Sequence, residues 1–167
     1  MDQRAVIGVS TKLEFYELMM AAQIGVCRQV AALVREYPDR HGAERPGWDK
    51  HIEGACGELA LAKVLGIYWS GSVNTFKSGA DVGKYQVRTR SRLDYELYVR
   101  DDDDPAQKYV LVVGTAPDYV VVGWIVGRDA RRPEWRQRHG GREAAWFVPQ
   151  DQLAPIALLT GGELPHE

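Results

Sequence analysis

From Leu13 to Val34, apolar residues recur every three or four positions, at Leu13, Leu18, Met19, Ala22, Val26, Val30, Leu33 and Val34. That period predicts a helix with one buried face. Thr11 followed three residues later by Glu14 reads as its capping box, and Pro38 should stop it near Tyr37. Arg28, Arg35 and Glu36 should then lie toward solvent. Arg4 to Ser10 reads as a short strand or ordered arm, and residues 39–47 as a polar loop. A second helix should run from Asp49 to Leu65, with Gly66 as its cap. Gly54 and Gly57 inside it cost about 1 kcal/mol each against Ala, and would let another backbone come close.

Beyond residue 66 the period shortens. Strands are expected over Ile67–Thr75, Tyr85–Arg90 and Glu96–Arg100, with a turn at Ser91–Asp94. Tyr109–Val113 and Tyr119–Val126 are nearly continuous β-branched or aromatic runs, as strands buried on both faces require. Gly114 to Asp118 joins them by a tight turn. Ala144–Val148 returns as a strand, and Pro149–Leu159 as a short terminal helix. Asp101 to Asp104 lacks the alternating ligands and glycine of an EF-hand and reads as a solvated hairpin tip. Two helices followed by at least four strands predict an α/β (α+β) fold, with helices against a mixed sheet.

Composition adds limits. The chain has 167 residues, 45% of them hydrophobic and 26% charged, which suits one domain with a sizeable core. Its net charge is −2, so any nucleic-acid surface must be local. Cys27 and Cys56 lie on apolar helical stretches and read as buried free thiols; no spacing suggests zinc. Neither a secretory leader nor a run of about 18 apolar residues is evident, so the expectation is a cytoplasmic protein without a membrane span. A homo-oligomer is compatible with the sequence.

The richest chemistry lies in residues 79–92, which read GADVGKYQVRTRSR. Asp81 sits at a turn. Gln86 and Arg88, two apart on a strand, share a face. A hard divalent cation takes oxygen ligands, and Asp81, the Gln86 amide and Glu58 from the helix upstream could supply them. Arg88 could hold a phosphate but is a poor base. Arg90 and Arg92 extend the row along a nucleic-acid backbone, with Lys77 and Lys84 widening it. His51, two helical turns before Glu58, could touch substrate. Each has a blander role: Asp81 as a turn former, Glu58 as a solvent-exposed group or helical partner of Lys63, the arginines as a solvated sheet face, His51 as a surface or capping residue. Tyr119 and Trp124 read as core. No nucleophile triad, phosphate loop or dinucleotide fingerprint is present.

The helix HIEGACGELALAK (residues 51–63), the turn Ala80-Asp81, the strand Gln86-Val87-Arg88 and the apolar strand Tyr109–Val113 together resemble the PD-(D/E)XK nuclease superfamily, particularly its small members encoded by phages and prophages. The resemblance covers roughly residues 50–126. It implies a restriction-endonuclease-like αβββαβ core within a single domain, with decorations at both ends. It also implies a Mg²⁺- or Mn²⁺-dependent deoxyribonuclease with catalytic residues Glu58, Asp81, Gln86 and Arg88, metal ligands Asp81, Glu58 and Gln86, and Arg90, Arg92, Lys84 and His51 on the DNA. Gln86 stands where the family usually has a carboxylate, and Arg88 where it has Lys. Those departures keep open a nuclease-fold protein that has lost cleavage and binds nucleic acid or a protein partner.

Overall fold

The computed structural model describes residues 8–35, 47–73 and 79–160. The chain is a mixed α+β protein with helices against a mixed sheet. Strand β1 (Val9–Lys12) leads into helix α1 (Phe15–Val34), and α2 (Trp48–Leu65) follows. Then come β2 (Tyr85–Arg90), β3 (Leu97–Val99), β4 (Lys108–Thr115), β5 (Asp118–Val126), the short α3 (Gly127–Ala130), β6 (Arg136–Gln137) and β7 (Ala145–Val148). The main sheet has the order β1-β5-β4-β2, and the smaller one β3-β7-β6. Among the described residues only β2 and β4 pair in parallel; the other strand pairings are antiparallel.

β4 and β5 form the centre, and their long apolar runs are buried on both faces as their composition requires. On one face Val110, Val112, Tyr119 and Val121 pack against α2. On the other, Tyr109, Leu111, Val113 and Ile125 pack under the small sheet with Leu97, Val99 and Val148. A bulge at Leu111/Val112 shifts the register between β4 and β5. From Ala55 to Leu65 helix α2 is buried almost all round, Lys63 excepted, because it lies between α1 and the sheet. Gly57 lets it approach β2 closely: an added Cβ would collide with the Thr89 side chain. Gly54 faces open space instead. Gly66 caps the helix in the left-handed conformation, as its sequence position indicates.

Several expectations change. Thr11 is not a cap, because pairing with Tyr119 on β5 draws it into β1. The box forms one turn later, where the Glu14 N–H donates to Glu17 Oε2 at 2.6 Å. No strand forms over residues 67–73: Trp69 turns inward and Gly71 adopts φ +56°. The terminal helix is replaced by two single turns of 3₁₀ helix, at Gln150–Gln152 and Ile156–Leu159. The expected end of the first helix at Tyr37, the loop through residues 39–46, residues 4–7 of the arm, residues 74–75 of the expected strand and Lys77 lie outside the described residues.

The largest change concerns the face of α1. It packs against α2 through Ala21, Gly25 and Gln29, and an added Cβ at Gly25 would lie 2.5 Å from the Ile52 Cα. Met19, Val26, Val30, Leu33 and Val34 consequently point outward, and Cys27 is exposed with them rather than buried. Small residues won the helix contact because two backbones can then approach closely. By length and composition alone α1 could cross a membrane, a property it shares with core helices of soluble proteins, and one face of it is packed on the protein.

Candidate functional site

Glu58 projects from the buried part of α2 and is only 6% exposed. A carboxylate there needs a partner, because an isolated charge in a dry interior is costly. Arg28 of α1 supplies it. Its Nη1 donates to Glu58 Oε1 at 2.7 Å and its Nη2 to Oε2 at 2.8 Å. The Trp69 indole N–H adds a third bond to Oε2 at 3.0 Å. Arg28 Nε is anchored on the Ser72 carbonyl. Arg28 is therefore no solvent-facing residue, and Glu58 is neither exposed nor paired with Lys63, which bonds Glu17 instead. Burial disfavours the Arg28 charge, but the Glu58 hydrogen bonds and charge outweigh it and raise its pKa.

Asp81 curls over the outer edge of β2, where its Oδ2 accepts the Val87 N–H at 2.8 Å. This satisfies a backbone donor that an edge strand leaves open. The carboxyl is pushed above its ordinary pKa, first by burial and then by the nearby Glu58 charge; the Val87 bond and the charges of Arg88 and Arg28 oppose this without reversing it. The structure thus brings Glu58, Arg28 and Asp81 into one electrostatic group.

Gln86 and Arg88 share a face, as their spacing requires, but it is the face opposite α2. Tyr85 and Val87 pack with the helix, whereas Arg88 lies over Tyr109, which belongs to the other core. Gln86 donates weakly to the Gly79 carbonyl at 3.4 Å. Arg88 Nη2 is held by both oxygens of Asp103 at 2.7 Å. The Asp101–Asp104 turn is therefore not simply a solvated tip. Asp103 clamps Arg88 and caps the Arg100 N–H, Arg131 donates to the Asp103 carbonyl, and Arg136 pairs with Asp101.

A divalent cation shared by Glu58 and Asp81 does not fit this donor set. Both Glu58 oxygens already accept from a guanidinium whose charge also reaches Asp81. Among the described residues no group of three or more His, Cys, Asp or Glu side chains is arranged to hold a metal ion.

On the same face as Arg88, arginines stack on rings. Tyr98 has Arg88, Arg90 and Arg100 at 5.2, 5.3 and 4.7 Å from its centroid. Tyr95 has Arg90 at 4.4 Å and Arg92 at 5.1 Å. Arg90 also donates to the Glu96 carbonyl, and burial lowers its pKa despite the neighbouring Tyr98. Arg92 pairs with Asp94 at the surface. Among the described residues Arg100 and Arg142 have no carboxylate partner. Tyr98 faces Phe147 across the β3–β7 pair, and His139 stacks edge-to-face on Phe147. Arg142 is near enough to Arg90 to repel it electrostatically. Lys84 is exposed beside Tyr85, away from this cluster of rings, and His51 sits half-buried in the first turns of α2.

Sequence reading missed Arg28, Trp69, Asp103, Tyr95, Tyr98 and Arg100. One signal was present for Arg28: it is the only cation between Phe15 and Val34, and a lone charge in an apolar helix generally has a partner. Comparisons with protein-family models, curated proteins and solved structures find no match.

Proposed function

We propose that this protein is a non-catalytic nucleic-acid-binding protein built on a restriction-endonuclease-like core. The observation that carries the reading is the guanidinium cluster around Tyr98 and Tyr95. A guanidinium lying on a ring is held by cation–π attraction and stacking, yet its N–H edge remains available to an anion. Arg100, and Arg90 through the part of its fork not bonded to the Glu96 carbonyl, offer such an edge to the phosphodiester backbone of DNA. Arg100 and Arg142 supply charge that no carboxylate among the described residues cancels, which a chain of net charge −2 must concentrate locally.

The Arg28–Glu58 lock supports the absence of cleavage. Phosphodiester hydrolysis by two carboxylates and a metal needs those carboxylates open to the ion. Here a fixed monovalent cation neutralises one of them from within the fold.

A second reading, a Mg²⁺- or Mn²⁺-dependent nuclease, is favoured by the proximity of Asp81 to Glu58 and by the resemblance in motif. It requires Arg28 to release Glu58 when metal arrives.

Two measurements separate the readings. Calorimetric titration of the protein with Mg²⁺ and Mn²⁺ should show no site, and Asp81→Ala should leave the titration unchanged. Fluorescence anisotropy with labelled single-stranded and duplex DNA should show salt-sensitive binding that weakens in Arg100→Ala and Arg142→Ala. Stoichiometric metal binding that disappears in Asp81→Ala would establish the second reading. Absence of binding to either DNA at low salt would reject the first.

A further inference from the structure

The outer face of α1 points to a second copy of this chain. We propose that the protein forms a two-fold symmetric dimer in which α1 packs antiparallel against α1 of its partner, with Gln23 at the axis.

Three observations carry this. The first is extent. The helix exposes Phe15, Tyr16, Met19 and Met20 toward one end, and Val30, Leu33 and Val34 toward the other; Tyr16 is 81% exposed and Val34 77%. Together with Val26 these side chains present on the order of 800 Å² to solvent, about what each partner contributes to a standard protein interface. A lone monomer seldom leaves so much contiguous apolar surface open.

The second is charge. Only two residues of α1 are charged, Glu17 and Arg28, and both are turned back onto their own chain, to Lys63 and Glu58. The outer face carries no charge between Phe15 and Val34. Two copies can therefore meet face to face without bringing like charges together, the condition an isologous contact imposes.

The third is shape. Phe15 and Tyr16 stack edge-to-face as a protruding pair at the N-terminal end. Near the C-terminal end Val26, Cys27, Val30, Ala31, Val34 and Arg35 line an open groove of about 410 Å³. Knob and groove are centred about fifteen residues apart, roughly 22 Å along the helix. An antiparallel partner placed about Gln23 seats each knob in the other's groove. Gln23 is exposed at that midpoint, and its amide both donates and accepts, so it can bond its own symmetry mate.

The test is sedimentation equilibrium of the full chain, with Val30→Glu and Met20→Lys as interface variants and circular dichroism as a control for folding. The expected result is a concentration-dependent dimer, with association weakened about tenfold or more in each variant and unchanged helicity. The axis is tested separately. Gln23→Cys in a Cys27→Ser background should form a disulfide-linked dimer on mild oxidation, whereas Cys27 in the parent, about four residues from the axis, should not. A monomer at every concentration would overturn the proposal. So would association seen only with vesicles of phosphatidylcholine and phosphatidylglycerol, or efficient cross-linking of the parent through Cys27. None of these outcomes depends on nucleic-acid binding.

Discussion

On the helix side of β2 an arginine meets a carboxylate; on the opposite side arginines meet rings. Arg28 and Glu58 share two short bonds with side chains 16% and 8% exposed, so the charges satisfy each other. Arg90 and Arg100 are held instead by Tyr95 and Tyr98, which fix position without cancelling charge. Arg88 lies between the two cases, stacked on Tyr98 and Tyr109 but also clamped by Asp103. The difference teaches that arginine count says little about anion binding. What matters is whether a guanidinium's partner takes its charge or only its plane.

The largest loss of stability is expected at Arg28. Arg28→Ala leaves Glu58 buried without its cation, and about 3–5 kcal/mol of stability should be lost. The paired change Arg28→Met/Glu58→Leu should recover most of that, less the cost of leaving the Trp69 indole unpartnered. Urea unfolding of the three proteins measures both effects. A loss below about 1 kcal/mol in the single variant would mean that the lock is open in solution.

A smaller effect is expected where α2 meets β2. Gly57→Ala puts a methyl group into Thr89 and should cost about 1–3 kcal/mol, partly relieved by Thr89→Ala. Full stability in Gly57→Ala would show that the helix does not sit this close to the strand.

On the helix side of β2, Asp81 makes stability depend on pH. Its folded pKa lies above its ordinary value of 3.8, so the folded chain binds the proton more tightly than the unfolded one. Its contribution to stability is then fully present below the unfolded pKa and is lost as pH rises through the folded pKa. Asp81→Asn keeps an oxygen for the Val87 N–H and cannot ionise. It should raise the urea midpoint at neutral pH, and the gain should shrink as pH falls below the folded pKa. A gain equal at every pH would assign the effect to something other than Asp81 ionisation.

The smallest expected effect on stability is at the surface. Arg92→Ala opens an exposed pair with Asp94 and should leave the unfolding midpoint unchanged, and DNA binding nearly so, because Asp94 already takes the charge. DNA binding weakened as much as in Arg100→Ala would show that Asp94 releases Arg92 to the nucleic acid.

Much of the fold was legible in periodicity. The β4 and β5 runs, the cap at Gly66 and the face shared by Gln86 and Arg88 follow from local pattern alone. The outward turn of α1 did not. Its apolar spacing marks a buried face, but Ala21 and Gly25 permit a closer contact with α2 than Met19 or Val30 would. Local pattern cannot rank those two faces without knowing what lies opposite. The same limit applied to the site. Glu58 and Asp81 were identifiable as carboxylates near β2, whereas Arg28 is thirty residues from Glu58 in sequence and joins it only through helix packing. The rings beneath Arg90 and Arg100 escaped notice because Tyr95 and Tyr98 lie in a turn and a three-residue strand.

Binding without cleavage through the arginines of this face can be measured in one titration. Labelled single-stranded and duplex DNA would be titrated with the protein in Mg²⁺ at a series of salt concentrations, each sample being resolved on a denaturing gel after its anisotropy is read. The expected result is intact DNA, affinity that falls steeply with salt, and a salt slope reduced by about one in Arg100→Ala and again in Arg142→Ala. Cleaved DNA, or a salt slope the same in the parent and both variants, would contradict the account.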